Sequence, residues 1–393
     1  MDKDNSLLWQ GPVWFAGRKS PVSAGPIPGL SGDLDLLEVF AGKGRLNTLL
    51  PSAVLIDVPS VPDADRDAFF AWLDGSIAGL PADVPVIFLS GADDVLPGRP
   101  KAHATINRAV PDDVLFNAVC NHQRALMRFE EARIRRLVFG RVPGYGTAPH
   151  YRGTSGLLVA GLSGRFLDLQ QAGGRKVEVV GALSRDMAET YLSQRAFDAV
   201  ILDSTLDETL ESLRLIRMDA RFAALPVLVV TDRPEDTAMV FRAGANDVLT
   251  VPLDDANLRQ RLATAIRHGK RRRLADKVLA ESHRWLTQQL GSGGVTQADY
   301  ARYLNRAGDA LARRDLDLYE MKLLPENFFL PDQTVALAED LYGTLLSVAD
   351  ATSREEDLVC VVNDIGPVAV LKSERGKSRL QARIEAILGH TAL

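Results

Sequence analysis

Two charged residues near the C-terminal end of the chain have types and a spacing that suit ligand binding. Arg354 and Asp357 stand three positions apart, directly before the apolar run 358–362. The arginine guanidinium is a planar fork of donors that fits the O6 and N7 atoms of guanine, and it also stacks on bases. The aspartate carboxylate accepts hydrogen bonds from donors such as the guanine N1 and N2 groups. The pair could therefore bind a guanine base, whereas an exposed Arg-Asp ion pair alone would contribute little stability.

Alternating helical and strand patterns surround this pair. After residue 294 the sequence predicts, in order, helix 297–314, strand 315–324, helix 333–350, strand 357–362, strand 367–373 and helix 377–388. The last two strands are joined by the residues NDIG at 363–366, and we expect them to form a hairpin. This prediction places Arg354 and Asp357 at the corner where a helix ends and the first hairpin strand begins.

Residues 155–270 contain five short apolar runs that alternate with helical patterns. The runs are 156–162, 176–182, 197–204, 225–232 and 246–253. Apolar strands separated by crossover helices are typical of a parallel sheet that is covered on both faces. The sequence therefore predicts an open, doubly wound α/β domain whose site lies at the carboxyl ends of the strands.

The polar residues at these strand ends resemble those of a response-regulator receiver domain. Asp203 follows AVIL in the third run, Thr231 follows VLVV in the fourth, and AGANDVLTVPLD stands at 243–254. The resemblance implies that Asp203 is a candidate phospho-acceptor and that Thr231 contacts the phosphoryl group. Aspartyl phosphate formation needs a divalent cation held by an acidic pair, and a lysine to neutralise the developing charge. Ala-Gly-Leu at 160–162 replaces the acidic pair and Val251 replaces the lysine, so we do not expect phosphorylation.

Residues 11–139 repeat the same plan more faintly. Apolar runs at 12–17, 52–58, 84–91 and 103–110 predict four strands of a second receiver-like domain. Asp57 then falls on the acceptor position as a second candidate phospho-acceptor, and Ser90 falls on the hydroxyl position. Ala16 and Gly17 stand after the first strand, where the acidic pair would be, and Arg108 lies near the lysine position. We expect this domain to hold no magnesium either.

The C-terminal pattern resembles a GGDEF domain, the catalytic domain of diguanylate cyclases, in which a hairpin carries the signature. The order receiver, receiver, GGDEF is that of PleD-like response regulators. Cyclase chemistry requires carboxylates for metal ions and glycine backbone near the phosphates. Here the hairpin reads NDIGP at 363–367, and LPENFFLPDQ at 324–333 replaces a second family motif. The resemblance therefore implies a degenerate, nucleotide-cyclase-like α+β domain that is not an enzyme and needs no metal.

In that family an RxxD sequence five residues before the signature binds cyclic di-GMP. The resemblance implies that Arg354 and Asp357 bind this ligand, and that Arg383 of the final helix, or else Arg379, completes the site. Resemblance to the non-catalytic members of the family implies an effector or adaptor that regulates the localisation or proteolysis of cell-cycle proteins. It also implies a cell pole as the candidate location. Two alternatives stay open: a phosphorelay output protein controlled by Asp203 or Asp57, and a ligand-independent scaffold.

Length and composition agree with three domains. The chain has 393 residues, 46% of them hydrophobic and 25% charged, and a net charge of −5. The predicted domains are receiver-like domains at 11–139 and 155–270, a linker helix at 271–293 and the degenerate GGDEF domain at 294–393. The balance of charge gives no reason to expect nucleic-acid binding. No run approaches 18 apolar residues, so we expect a cytoplasmic protein without membrane insertion.

Two further expectations concern cysteines and self-association. The chain has two cysteines, Cys120 and Cys360, which are far apart in sequence and are predicted to be buried thiols. Long helical patterns at 118–140 and 258–290 project from the receiver-like domains. Such helices bury apolar stripes against a partner, so we expect protein partners and a homodimer.

Overall fold

The computed structural model of the chain consists of two compact units. It describes residues 8–17, 33–46, 49–91, 94–108, 110–140, 142, 155–162, 164–252, 254–289, 293–324 and 335–391. One unit comprises Met1–Leu126 with Arg152–Arg273, and the other comprises Met127–Tyr151 with Leu274–Leu393. This grouping rests on internal contacts, and the predicted domain boundaries stay predictions. The motif at 324–333 lies, apart from its first residue, outside the described residues.

The first unit begins with a five-stranded parallel sheet. Its strands are β1 Val13–Ala16, β2 Leu34–Asp35, β3 Ala53–Asp57, β4 Val86–Ser90 and β5 Ala104–Asn107, in the order β2-β1-β3-β4-β5. Its helices are α1 Leu36–Phe40, α2 Arg66–Ala78 and α3 Asp112–Phe139, and the residues of α3 from Met127 onward belong to the second unit. The four predicted strands are confirmed. The short β2 was not predicted because two residues carry no detectable periodicity.

A second five-stranded parallel sheet follows in the same unit. Its strands are β6 Ser155–Ala160, β7 Val177–Ala182, β8 Ala199–Leu202, β9 Val227–Thr231 and β10 Asp247–Thr250, in the order β7-β6-β8-β9-β10. Its helices are α4 Phe166–Gly173, α5 Arg185–Gln194, α6 Leu206–Met218, α7 Thr237–Arg242 and α8 Asp255–Gln288. Alternate residues of β8 pack into separate cores on the two faces of the sheet. The predicted doubly wound α/β domain is confirmed.

The two sheets meet through their edge strands β5 and β10, which lie against each other. The buried guanidinium of Arg261 joins the two domains: it donates to Asp247 at 2.6 Å and to the Ser90 hydroxyl at 2.9 Å. Asn257 donates to the Asp94 carbonyl at 3.0 Å. Both domains also contribute to one apolar cluster. The two sheet domains are therefore packed as a pair within the first unit.

The second unit contains a three-stranded antiparallel sheet. Its elements are α9 Gln297–Ala312, β11 Tyr319–Lys322, α10 Val335–Thr352, β12 Leu358–Val362, β13 Gly366–Leu371 and α11 Glu374–Thr391. The strand order is β11-β13-β12, so the predicted hairpin is confirmed and its second strand lies between the other two. Asp364 and Gly366 close the turn with φ values of 61° and 95°. The arrangement is a split βαβ unit.

Side chains alternate across this sheet and build two cores. Leu358, Cys360 and Val368 point to the face that Tyr303 of α9 covers. Their neighbours Val361 and Ala369, with Leu371, point to the opposite face, where residues of α10 and α11 pack. Because both faces of the sheet are buried, successive residues of each strand are apolar, and the strand pattern is nearly continuous. No helix among the described residues has the length and apolar character of a membrane span.

Candidate functional site

The predicted Arg354-Asp357 pair lies in the turn between α10 and β12. The Asp357 carboxylate accepts hydrogen bonds from two backbone amides, that of Arg354 at 2.9 Å and that of Lys372 at 3.1 Å. Burial raises the pKa of Asp357, while these two amides oppose the shift. The Arg354 side chain is exposed, and among the described residues its guanidinium has no hydrogen bond or ion pair. Asp357 therefore shapes the turn, and Arg354 extends from it.

Helix α11 brings two further arginines to the same corner. Arg383 donates from Nη1 to the Thr352 hydroxyl at 2.9 Å, and Arg379 donates from Nη2 to the Thr352 carbonyl at 3.0 Å. Thr352 is the last residue of α10 and stands two positions before Arg354. Helix carboxyl ends carry partial negative charge, which favours cations there. The structure therefore brings Arg383 and the alternative Arg379 to the corner that holds the predicted pair.

A buried ionic cluster supports this corner from helix α3. Arg135 donates to the backbone carbonyls of Glu355 at 3.1 Å and Asp357 at 2.7 Å. It also forms an ion pair at 2.6 Å with Glu131, which is 1% exposed and contacts Lys372 as well. Burial pushes the pKa of Glu131 upward, but the charges of Lys372 and Arg135 outweigh it and hold the pKa below its usual value. Arg135 therefore holds the backbone of the turn against α3.

The hairpin turn offers little that could bind metal. Asn363, Asp364 and Ile365 form it, and Asp364 is its one carboxylate. Within the described ranges, no three histidine, cysteine, aspartate or glutamate side chains come together as a metal-ligand set.

Both acceptor positions of the first unit carry an arginine. Asp203 is 4% exposed and pairs with Arg165 at 2.8 Å, and Asp57 is 5% exposed and pairs with Arg108 at 2.9 Å. Burial raises the pKa of Asp203, and the Arg165 charge opposes that shift. The sequence predicted Arg108 near the lysine position, and the ion pair of Arg108 with Asp57 is consistent with that prediction. It gave no signal for Arg165, which lies in the loop after β6.

The two predicted hydroxyl residues form hydrogen bonds with arginines of their surroundings. The Ser90 hydroxyl accepts a hydrogen bond from Arg261, and the Thr231 hydroxyl accepts one from the backbone amide of Arg233 at 3.1 Å. Backbone geometry also prevents a simple restoration of the acidic pair. Gly161 has a φ of 138°, and a Cβ there would lie 1.9 Å from the Asp203 carbonyl oxygen. Each predicted acceptor aspartate is thus engaged by an arginine.

We expect no phosphorylation when the purified chain is incubated with acetyl phosphate and magnesium. The guanidinium of Arg165 or Arg108 already neutralises each carboxylate and occupies one of its oxygens, so the nucleophile is weakened. Intact-protein mass spectrometry would measure the phosphate adduct, with a receiver domain that holds its acidic pair as the positive control. An adduct that disappears in Asp203→Asn or Asp57→Asn would contradict this expectation.

The order of both parallel sheets, with the first strand of each between the second and third, is the flavodoxin-like order found in receiver domains. No family model and no curated protein matches the chain. Solved structures with likeness to it include a sensor protein from Polaromonas sp. JS666, with TM-score 0.27 and 20% identity over 30% of this chain and 99% of that one. The chemotaxis response regulator CheY4 of Vibrio cholerae gives TM-score 0.27 and 19% identity over 29% and 99%. The receiver domain of sensor histidine kinase PA1611 from Pseudomonas aeruginosa PAO1 gives 0.25 and 19% over 29% and 98%.

Proposed function

We propose that this protein is a non-catalytic effector of the response-regulator class that binds cyclic di-GMP at Arg354, Asp357 and Arg383. The observation that carries the proposal is the contact of Arg383 with Thr352, two residues before Arg354. Arg383 of α11 thereby lies at the same corner as Arg354 and Asp357. The exposed guanidinium of Arg354 and the split βαβ fold around it agree with a degenerate GGDEF domain.

The corner supplies the donors and acceptors that a guanine base requires. Arg354 offers its fork to the O6 and N7 atoms. Each oxygen of the Asp357 carboxylate accepts one amide hydrogen bond, and each keeps further acceptor capacity for the guanine N1 and N2 groups. Arg383 would pair with a phosphate or stack on a base after leaving the Thr352 hydroxyl. Binding therefore requires the Arg383 side chain to move.

The rest of the proposal concerns what binding does. The hairpin lacks the carboxylates of a cyclase, so the ligand would be an input signal and not a product. The arginine-bound aspartates argue against phosphorylation as the input, and the two receiver-like domains would serve as a protein-binding platform. We propose an adaptor for cell-cycle proteins, acting as a homodimer in the cytoplasm or at a cell pole.

Calorimetric titration of the full-length protein with cyclic di-GMP tests the proposal. We expect saturable binding that Arg354→Ala weakens by about 10- to 100-fold, because a bidentate arginine-guanine pair contributes about 1–3 kcal/mol. Arg383→Ala should also weaken binding. Arg306→Ala, an exposed arginine on α9, is the matched control and should bind as the wild type does. Cyclic di-AMP, which lacks the guanine edge, is the control ligand.

Two results would contradict the proposal. The first is no binding heat for the wild type, and the second is an equal affinity in wild type and Arg354→Ala. Incubation with GTP, followed by chromatography for cyclic di-GMP, separates an effector from a residual cyclase. We expect no product.

A further inference from the structure

The second sheet domain contains a deep apolar cleft that is independent of the proposed cyclic di-GMP corner. The cleft lies between helices α5 and α6 and has a volume of about 580 Å³. Its floor is formed by Val200 and Leu202 of β8 and by Ala160 of β6. Ala188 and Ile216 stand in its helical walls. A cleft of this size is large enough to hold a small molecule.

The mouth of the cleft concentrates exposed apolar side chains. Leu162, Leu183 and Met218 line it and are 81%, 64% and 71% exposed. Large apolar residues with this exposure mark binding sites when they lie together. They extend the apolar surface of the floor outward toward the mouth.

The polar groups of the cleft indicate an uncharged ligand. The five charged residues that line it already have partners within the chain. Arg221 pairs with Asp219 at 2.6 Å, Arg185 lies 3.7 Å from Glu189, and Glu208 completes the capping box of α6. The remaining polar lining is three hydroxyls, those of Ser184, Ser204 and Ser212. Every charged group of the lining therefore has an ion pair or a hydrogen bond. The Ser184 hydroxyl accepts from the Met187 amide and the Ser204 hydroxyl pairs with that of Thr209, which leaves the Ser212 hydroxyl, within the described residues, for one neutral polar group of a ligand.

We propose that this cleft binds a drug-sized apolar molecule that carries a single uncharged polar group. Small-molecule sites are concave, mostly apolar pockets of about 300–1,000 Å³, and this cleft has a volume in that range and an apolar floor. The site lies in the receiver-like fold at the strand ends next to Asp203 and uses none of the residues of the cyclic di-GMP corner. Its occupant would couple a second small-molecule signal to the first unit.

Fluorescence titration of the full-length protein with N-phenyl-1-naphthylamine, a neutral apolar probe, tests this proposal. We expect saturable one-to-one binding with a blue-shifted emission. Ala188→Phe and Ser212→Phe, which fill the cleft, should each weaken probe binding about tenfold or more. Leu167→Phe places the same aromatic ring on an exposed position of α4, across the sheet, and should leave binding unchanged.

A labelling experiment keeps the test valid if a filled variant folds poorly. In Ser212→Cys, saturating probe should slow maleimide alkylation of the introduced thiol. Ser193→Cys, at an exposed position of α5 outside the cleft, should react at the same rate with and without probe. The native thiols of Cys120 and Cys360 are buried, as predicted, and burial raises their pKa values to about 11 and about 12, so they give little background.

Three results would overturn the proposal. The first is the absence of saturable probe binding, and the second is a probe affinity that the filled variants leave unchanged. The third is a wild-type dimer that dissociates in Leu183→Ser, together with faster alkylation when Leu183→Ser is added to Ser212→Cys. That result would mean that a second copy of the chain covers the cleft.

Discussion

Glu131→Gln is expected to destabilise the second unit by about 3–5 kcal/mol, because breaking a buried ion cluster leaves uncompensated charge in the interior. The Glu131 side chain is fully buried and contacts two cations, Arg135 and Lys372, as well as the Tyr303 hydroxyl at 2.9 Å. Glutamine keeps the size and one acceptor oxygen but removes the negative charge. Both cations would then face each other across a neutral group.

Hydrogen exchange measured by mass spectrometry is the suitable readout, since the two units can lose structure separately. Peptides from 358–371 should exchange much faster in Glu131→Gln, while peptides from 199–231 should exchange as in the wild type. Glu189→Gln is the matched control: this glutamate is exposed, and surface substitutions usually change stability by less than about 0.5 kcal/mol.

A double-mutant cycle identifies the source of the loss. Adding Lys372→Gln to Glu131→Gln removes one of the two unpaired cations, so the double variant should be less destabilised than the sum of the two single variants. Additive losses would mean that glutamate and lysine act through separate contacts. The substitution of Glu131 should also affect the ligand corner. Arg135, its ion-pair partner, donates to the carbonyls of Glu355 and Asp357, and these contacts should loosen when Glu131 is changed.

The arrangement of the strands was predictable because it depends on local patterns. Runs such as 199–202 are apolar at every position, and helical patterns separate them, which leaves few alternatives to a covered parallel sheet. The corner was predictable for the same reason: Arg354 and Asp357 precede a strand by a fixed spacing. The short β2 had no such pattern, and its residues were left without an assignment.

Contacts between distant residues were not predictable from a single sequence. Lys372 and Glu131 are 241 positions apart, and Arg261 and Ser90 are 171 apart. No local periodicity relates such residues, and their pairing becomes apparent only when the elements are packed. Arg165 and Asp203 show the consequence for function: the missing acidic pair was visible in the sequence, but the arginine that takes up the acceptor carboxylate was not.

The three histidines of the first unit should make the protein acid-sensitive well above the range in which carboxylates titrate. His103, His122 and His268 form a cluster with ring centroids 6.3 and 5.0 Å apart. Burial, assisted by the charge of Arg271, lowers the pKa of His103 to about 3, and burial, assisted by the charges of Arg272 and Arg271, lowers that of His268 to about 4. Burial and the other two histidines hold the pKa of His122 well below its usual value.

The direction of the effect follows from the lowered pKa values. In the unfolded chain these histidines titrate near their ordinary pKa of about 6.5, so below that pH the unfolded state binds more protons and gains free energy. The stability is therefore complete above about pH 6.5 and is lost as the pH falls toward 4. Each histidine contributes at most about 1.4 kcal/mol per pH unit, and His103 and His268 contribute less because they are partly exposed. We expect the first unit to lose about 2–4 kcal/mol between pH 7.5 and pH 5.5.

Urea unfolding at pH 7.5, 6.5 and 5.5 measures this loss, and substitution assigns it. His122→Gln and His268→Gln should each flatten the pH dependence, because the unfolded state then gains fewer protons. His283→Gln, which changes a histidine that is more than half exposed in the second unit, should keep the wild-type profile and is the control. A wild-type stability that is constant between pH 7.5 and 5.5 would contradict the prediction. His103 directly precedes β5, the edge strand of the first sheet, and His268 lies on α8 of the second domain. Protonation of the cluster should therefore separate the paired domains before either sheet unfolds.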